Sequence, residues 1–132
     1  MNRKFAIITS LVVLLFVCVA AMEPANKFTE FKNLQVLPKN ISEAALNKIM
    51  EVDFNKGLGV SCDYCHAKVA GSTDLDMASD AKSEKEAARA MMRMTLDINQ
   101  KYFGMEHPKI GDSLMTITCM TCHKGEPYPG KK

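Results

Sequence analysis

The sequence contains no tryptophan, and aromatic residues make up only 7% of its 132 positions. Neither sign of charge dominates. Seventeen Lys and Arg stand against 15 Asp and Glu, a net charge of +2. Arg3 and Lys4 fall in the amino-terminal segment, so the remainder balances at 15 of each sign. With no basic stripe and few rings, the chain lacks the means to grip a nucleic-acid backbone and stack its bases. No low-complexity run or linker divides it, and its length suits one domain. A chain this short buries little core by itself. A large apolar prosthetic group would add that burial, as disulfides or metals do in other small proteins.

Cysteine and histidine are the residues present in a telling order. Cys62-Asp63-Tyr64-Cys65-His66 is matched later by Cys119-Met120-Thr121-Cys122-His123. C-x-x-C-H is the attachment signature of c-type haem. The two thiols add across the vinyl groups, and the adjoining histidine is placed to coordinate the iron. Within one helical turn, both sulfurs and the imidazole reach one edge of a macrocycle. Two other chemistries use paired cysteines. A structural zinc site usually separates its pairs by about 15–20 residues, far less than the gap from Cys65 to Cys119. A disulfide needs no histidine at all. The motifs therefore predict two haem c groups, held by thioethers from Cys62, Cys65, Cys119 and Cys122.

The amino terminus reads as an export signal. Two positive charges precede an apolar run from Phe5 to Met22, and Val19-Ala20-Ala21 resembles a signal-peptidase site. That run is barely long enough to span a bilayer. The expectation is a signal peptide or membrane anchor over residues 1–21, then a dihaem cytochrome c domain over residues 22–132. Cys18 follows Val17, which is not the small residue that lipidation wants, so it reads as apolar filler. Either form leaves the domain outside the cytoplasm, periplasmic and either soluble or anchored through residues 5–22.

Leu34-Gln35-Val36 alternates as a short extended segment between prolines 24 and 38. Ser42 or Asn40 caps a helix starting near Glu43, with Leu46, Ile49, Met50 and Phe54 at helical spacing and Gly57 or Gly59 as its end. After a loop over 67–82, Ser83-x-x-Glu86 reads as a capping box opening a helix that stops at Gly104. Ala88, Met91, Met94, Thr95, Ile98 and Tyr102 predict its buried face, with Met92 pointing elsewhere. A second loop, 105–118, leads to the second motif. The whole is a weak repeat of helix, connection and C-x-x-C-H.

His66 and His123 each supply one axial ligand. Ten methionines compete for the other side, since methionine is a common sixth ligand but also a common gap-filler. Met50 lies on the apolar face of the helix leading to the first motif. Spacing leaves Met91 and Met94 nearly tied for the second.

The motif set resembles the cytochrome subunit of photosynthetic reaction centres. The likeness runs from about Phe31 to Pro129 through Asn33-Leu34-Gln35-Val36-Leu37, Met50, Ala78-Ser79-Asp80, the stretch Ala88 to Thr95, Ile98-Asn99, and Thr118 to Gly125. It implies helix–turn–C-x-x-C-H units with a helix methionine as sixth ligand. By motif position, Met50 pairs with His66 and Met91 with His123, leaving Met94 as a packing residue. The family typically carries four motifs in two halves, and this chain resembles one half. His107 lies in the loop where the family can place a ligand for the missing half, though at a different spacing; a solvent-facing loop residue is the plainer reading. Arg89 and Arg93 are of the kind that pairs haem propionates.

The sequence thus predicts a mainly α, small multihaem cytochrome c domain packed around two haems, with few or no strands. Its expected role is to carry electrons between redox partners, some of them membrane-bound, without being an enzyme. Two rival roles are a peroxidase-like enzyme with one open iron position and an electron-accepting subunit docked on a membrane redox complex. An apolar face left by the missing half, with Phe28, Phe31, Leu34, Val36, Ile110, Leu114 and Met115 as contributors, would support self-association or docking.

Overall fold

A computed structural model describes residues 31–130. The expected export segment and Phe28 lie outside the described residues. Helix α1 spans Glu43–Ile49. Ser42 caps it as expected, its Oγ accepting from the Ala45 amide at 3.2 Å. The helix then widens into a π-helical segment, π1, over Met50–Lys56. Such i→i+5 segments are rare and frequent at functional sites. Here the wider turn holds Met50, Phe54 and Asn55 towards one cavity. Two more helical residues follow, and the chain leaves at Gly59, whose φ of 64° is left-handed.

Helix α2 is the short first motif, Cys62–Cys65. A two-residue hairpin pairs β1, Ala67–Lys68, antiparallel to β2, Leu75–Asp76. The long helix α3 covers Ser83–Phe103 and ends at Gly104 with φ 62°, as the sequence predicts. Helix α4 is the second motif, Cys119–His123. The described chain is mainly helical, with that hairpin as its only sheet.

Two local expectations are corrected. The Ser83–Glu86 capping box does not form: Lys82 holds the N-cap position without a side-chain bond. Glu86 turns instead to Arg89 and Arg93, at 2.9 and 3.2 Å. A capping box does form at Thr118 and Thr121, opening α4. Gln35 to Leu37 is a run of bends rather than part of an extended strand.

The buried face of α3 is only in part the predicted one: Thr95 is buried as expected and Ala88 and Ile98 are half-buried, but the rest differs. Arg89, Met92, Thr95 and Asn99 are buried, while Met91, Met94 and Tyr102 are exposed. The helix carries two stripes, and the one with polar members is chosen because Arg89 and Asn99 both find partners. Arg89 bonds Asp80 at 2.8 Å and Glu86 at 2.9 Å. Asn99 closes four bonds, described below. A packing role for Met94 at the full cost of a buried methionine is therefore withdrawn, since it is 47% exposed.

Among the described residues the buried apolar core is Leu37, Ile49, Met92, Ile110 and Met115. Leu34 and Val36 pack against it from the leader. Most residues offered as an uncovered face are thus covered by their own domain, and Leu114 is the clear exception at 79% exposed. The leader is pinned by Asn33, whose Nδ2 donates to the Ala78 carbonyl and to Asp80 Oδ1 at 2.6 and 2.8 Å. Arg89 and then Asn33 hold the Asp80 carboxyl down to a pKa of about 2.

Candidate haem sites

The first motif opens on a cavity of about 390 Å³, within the ~300–1,000 Å³ range of small-molecule pockets. Cys62 and Cys65 line it from α2, His66 from just beyond that helix, and Met50 and Phe54 from π1. Leader residues Leu34 to Leu37 form another wall, with Met92, Lys85 and Arg89 of α3 opposite. The structure therefore gathers four of the predicted site residues, Met50, Cys62, Cys65 and His66, on one apolar space. Burial pushes the Cys65 thiol up, and burial first and Lys85 second push the His66 imidazole down. A histidine kept neutral can offer a lone pair to a metal. Its Nδ1 is buried and closes no hydrogen bond. These donors and walls fit a haem.

The second motif is built differently. Helix α4 packs chiefly against π1. The Gly125 amide donates to the Gly57 carbonyl at 3.0 Å, and Gly57 is buried against Cys119. A Cβ on Gly59 would overlap the Gly125 carbonyl oxygen. These glycines lock the end of the first helical unit onto the second motif. His123 Nδ1 lies 2.9 Å from the Glu126 carbonyl. That bond makes Nδ1 the protonated nitrogen and leaves Nε2 free to ligate, the usual outer support of a metal-bound histidine. Burial and then Asp53 push the Cys119 thiol up to about 11. Asp53 is itself raised by burial, against the pull of Lys48.

Met91 and Met94 are equally exposed, each 47%, on the open side of α3. The geometry does not separate them. His107 is an exposed loop residue with φ 52°. Arg89 reaches the first cavity, whereas Arg93 lies outside it with its charge on Glu86.

All four described cysteines are free thiols. Nor do the two pairs converge. Among the described residues no three His, Cys, Asp or Glu side chains group as a metal site, so a shared zinc has no seat.

Sequence reasoning named Asn99 without seeing its work. It is fully buried. Its Nδ2 donates to the Thr95 and Ile117 carbonyls at 2.9 and 2.7 Å. Its Oδ1 accepts from the Thr116 and Ile117 amides at 2.9 and 3.0 Å. One side chain thus ties α3 to the strand of loop that enters the second motif. Tyr64, inside the first motif, meets Tyr128 of the tail at 3.4 Å between hydroxyls, and that bond chiefly raises its pKa to about 12.

The family model described as "Photosynthetic reaction centre cytochrome C subunit" matches residues 12–132. The chain belongs to this family. Among similar proteins is a photosynthetic reaction center cytochrome c subunit of Rubrivivax gelatinosus, 32% identical over 68 residues, which cover 52% of this chain and 15% of that one. Cytochrome c-554 of Chloroflexus aurantiacus is 33% identical over 95 residues, 72% of this chain and 20% of its own. A reaction center cytochrome c subunit of Roseobacter denitrificans is 29% identical over 104 residues, 76% and 26% respectively. The matches thus span between 15 and 26% of these relatives' lengths. No solved structure matches. By its description that family is one of c-type cytochromes. Among the described residues no helix is long and apolar enough to cross a membrane.

Proposed function

We propose that this chain is a two-haem c-type cytochrome that carries electrons between redox partners outside the cytoplasmic membrane. The observation that carries the proposal is the convergence of Met50, Cys62, Cys65 and His66 on one apolar cavity. Residues 1–21 serve as signal peptide or anchor, and residues 22–132 form the dihaem domain. Cys62 and Cys65 hold one haem c, and Cys119 and Cys122 the other. His66 with Met50, and His123 with Met91, complete the two irons. A bound haem supplies a ferric–ferrous couple, and full His/Met coordination lets it cycle with little rearrangement. The chain's own residues exclude water from the first site and fix the ring of His123 at the second. The small core also favours two apolar cofactors as part of the packed interior.

A second reading, an electron-accepting subunit docked on a membrane redox complex, is favoured by relatives whose names are reaction center subunits. Co-purification from solubilised membranes separates the two. A carrier, anchored or not, purifies free of other redox proteins, and a subunit stays with its complex.

The ligand pairs are tested by spin state. Met50→Ala and Met91→Ala should each convert one of two low-spin irons to high spin, with new carbon monoxide binding in the reduced visible spectrum. Met94→Ala should leave the spectrum unchanged. High-spin character in Met94→Ala and not in Met91→Ala would reassign the second ligand.

A further inference from the structure

The leader forms one wall of the first cavity, and its polar hold on two other walls runs through a single residue. Residues 33–37 line that space together with Met77 and Ala78, from the loop ahead of α3, and Arg89 and Met92 of α3 itself. That loop and that helix are tied to each other independently of the leader. Lys85 Nζ donates to the Met77 and Ser79 carbonyls at 2.9 and 2.7 Å, and Arg89 bonds Asp80 at 2.8 Å. Among the described residues, every hydrogen bond from the leader to these two walls is made by Asn33. Its Nδ2 donates to the Ala78 carbonyl and to Asp80 Oδ1, and its own carbonyl accepts from Arg89 at 3.4 Å. Gln35 Nε2 donates to Asn33 Oδ1 at 3.0 Å, so both ends of the amide are used. The backbone at Asn33 is left-handed, with φ 67°, a conformation that asparagine tolerates better than most residues. Four residues on, Leu37 is buried in the core and holds the leader's other end.

The Asn33 end is therefore the one that can lift, with Leu34 and Val36 behind it only half-buried. On the two-haem reading above, we propose that Asn33 is a positioning residue: it keeps the leader closed over the first haem and so helps to set that haem's reduction potential. The oxidised iron carries one more positive charge than the reduced iron, and water stabilises the more highly charged form. The apolar shell of a metal site controls the access of water and with it the potential. A closed leader thus favours the reduced first haem, and an open one the oxidised. None of the Asn33 bonds reaches the second motif, so the iron there should not feel the change.

Potentiometric titration of the haem-loaded protein, followed in the visible spectrum, tests this. The first site's midpoint is that of the iron which turns high-spin in Met50→Ala. Asn33→Gly keeps the left-handed backbone and removes the amide. Asn33 is exposed, so its loss strands no buried side chain of its own and the variant should fold. It should lower the first midpoint by at least about 28 mV, a threefold change in the oxidised-to-reduced ratio. Both irons should stay low-spin and the second midpoint should stay in place. Asn33→Ala adds backbone strain and should lower the first midpoint at least as far. Asn99→Ala is the control: it loosens the approach to the second motif without touching the leader, and should leave the first midpoint unmoved. An unmoved first midpoint in both Asn33 variants overturns the proposal, as does an equal fall in Asn99→Ala or at both irons. A high-spin first iron in Asn33→Gly also overturns it, because Asn33 would then be holding Met50 in place rather than sealing the leader. A protein without thioether-bound haem overturns the two-haem reading and this proposal with it.

Discussion

Asn99→Ala should destabilise the protein by about 2–4 kcal/mol, measured by denaturant unfolding of the haem-loaded form. The side chain is fully buried and closes four hydrogen bonds to Thr95, Thr116 and Ile117. Its removal strands the Thr116 and Ile117 amides and the Ile117 carbonyl, and each unsatisfied buried group costs roughly 1–3 kcal/mol. Partial access of water to Thr116, which is exposed, keeps the total below the full sum. The loss should be felt first at the second motif, because residues 116–118 deliver Cys119 to its helix. Amide exchange should therefore rise at Ile117 and Thr118 before it rises in α1. A loss below about 0.5 kcal/mol, the scale of ordinary surface substitutions, would mean the loop is held by other contacts.

Gly59→Ala should cost roughly 2–4 kcal/mol, combining left-handed backbone strain with overpacking. The new methyl group would overlap the Gly125 carbonyl oxygen, a backbone atom that cannot rotate away. Gly125 also donates to Gly57, so the shift should break the one backbone bond joining the first helical unit to the second motif. Gly71→Ala is the matched control. Gly71 has φ 76°, but nothing lies within 4 Å of its added Cβ. It should lose about 1 kcal/mol from backbone strain alone. Equal losses in the two variants would show that the contact between Gly59 and Gly125 is not what holds the motifs together.

The helices were legible because their ends carry local chemistry. Ser42 and Gly104 act through bonds and backbone angles within a few residues, and both behave as the sequence predicts. The gathering of Met50 with the first motif on one cavity was legible for a similar reason. Met50 lies one helix and one turn before Cys62, and chain connectivity alone brings them near. The buried face of α3 was not legible, because hydropathy assigns Arg89 and Asn99 to solvent. Their partners lie outside the helical pattern: Asp80, nine residues before Arg89, is itself fixed by Asn33, and Ile117 is 18 residues from Asn99. The Ser83–Glu86 motif failed because Arg89 and Arg93 offered Glu86 charged partners on the same helix. The link through Gly57, Gly59 and Gly125 left only a faint sign, glycines flanking each motif, which reads equally well as helix punctuation. Met91 remains assigned by family position, since its helix face is open in the structure.

The central claim is that this chain holds two haems by thioether bonds at Cys62, Cys65, Cys119 and Cys122. Its most direct test is the intact mass of the denatured, purified protein, expressed with a cytochrome c maturation system. The account predicts a polypeptide heavier by two haem groups, falling by one group in a Cys62→Ala, Cys65→Ala variant and by the other in Cys119→Ala, Cys122→Ala. A mass equal to the bare polypeptide, with any haem extracted into acidified organic solvent, would contradict it.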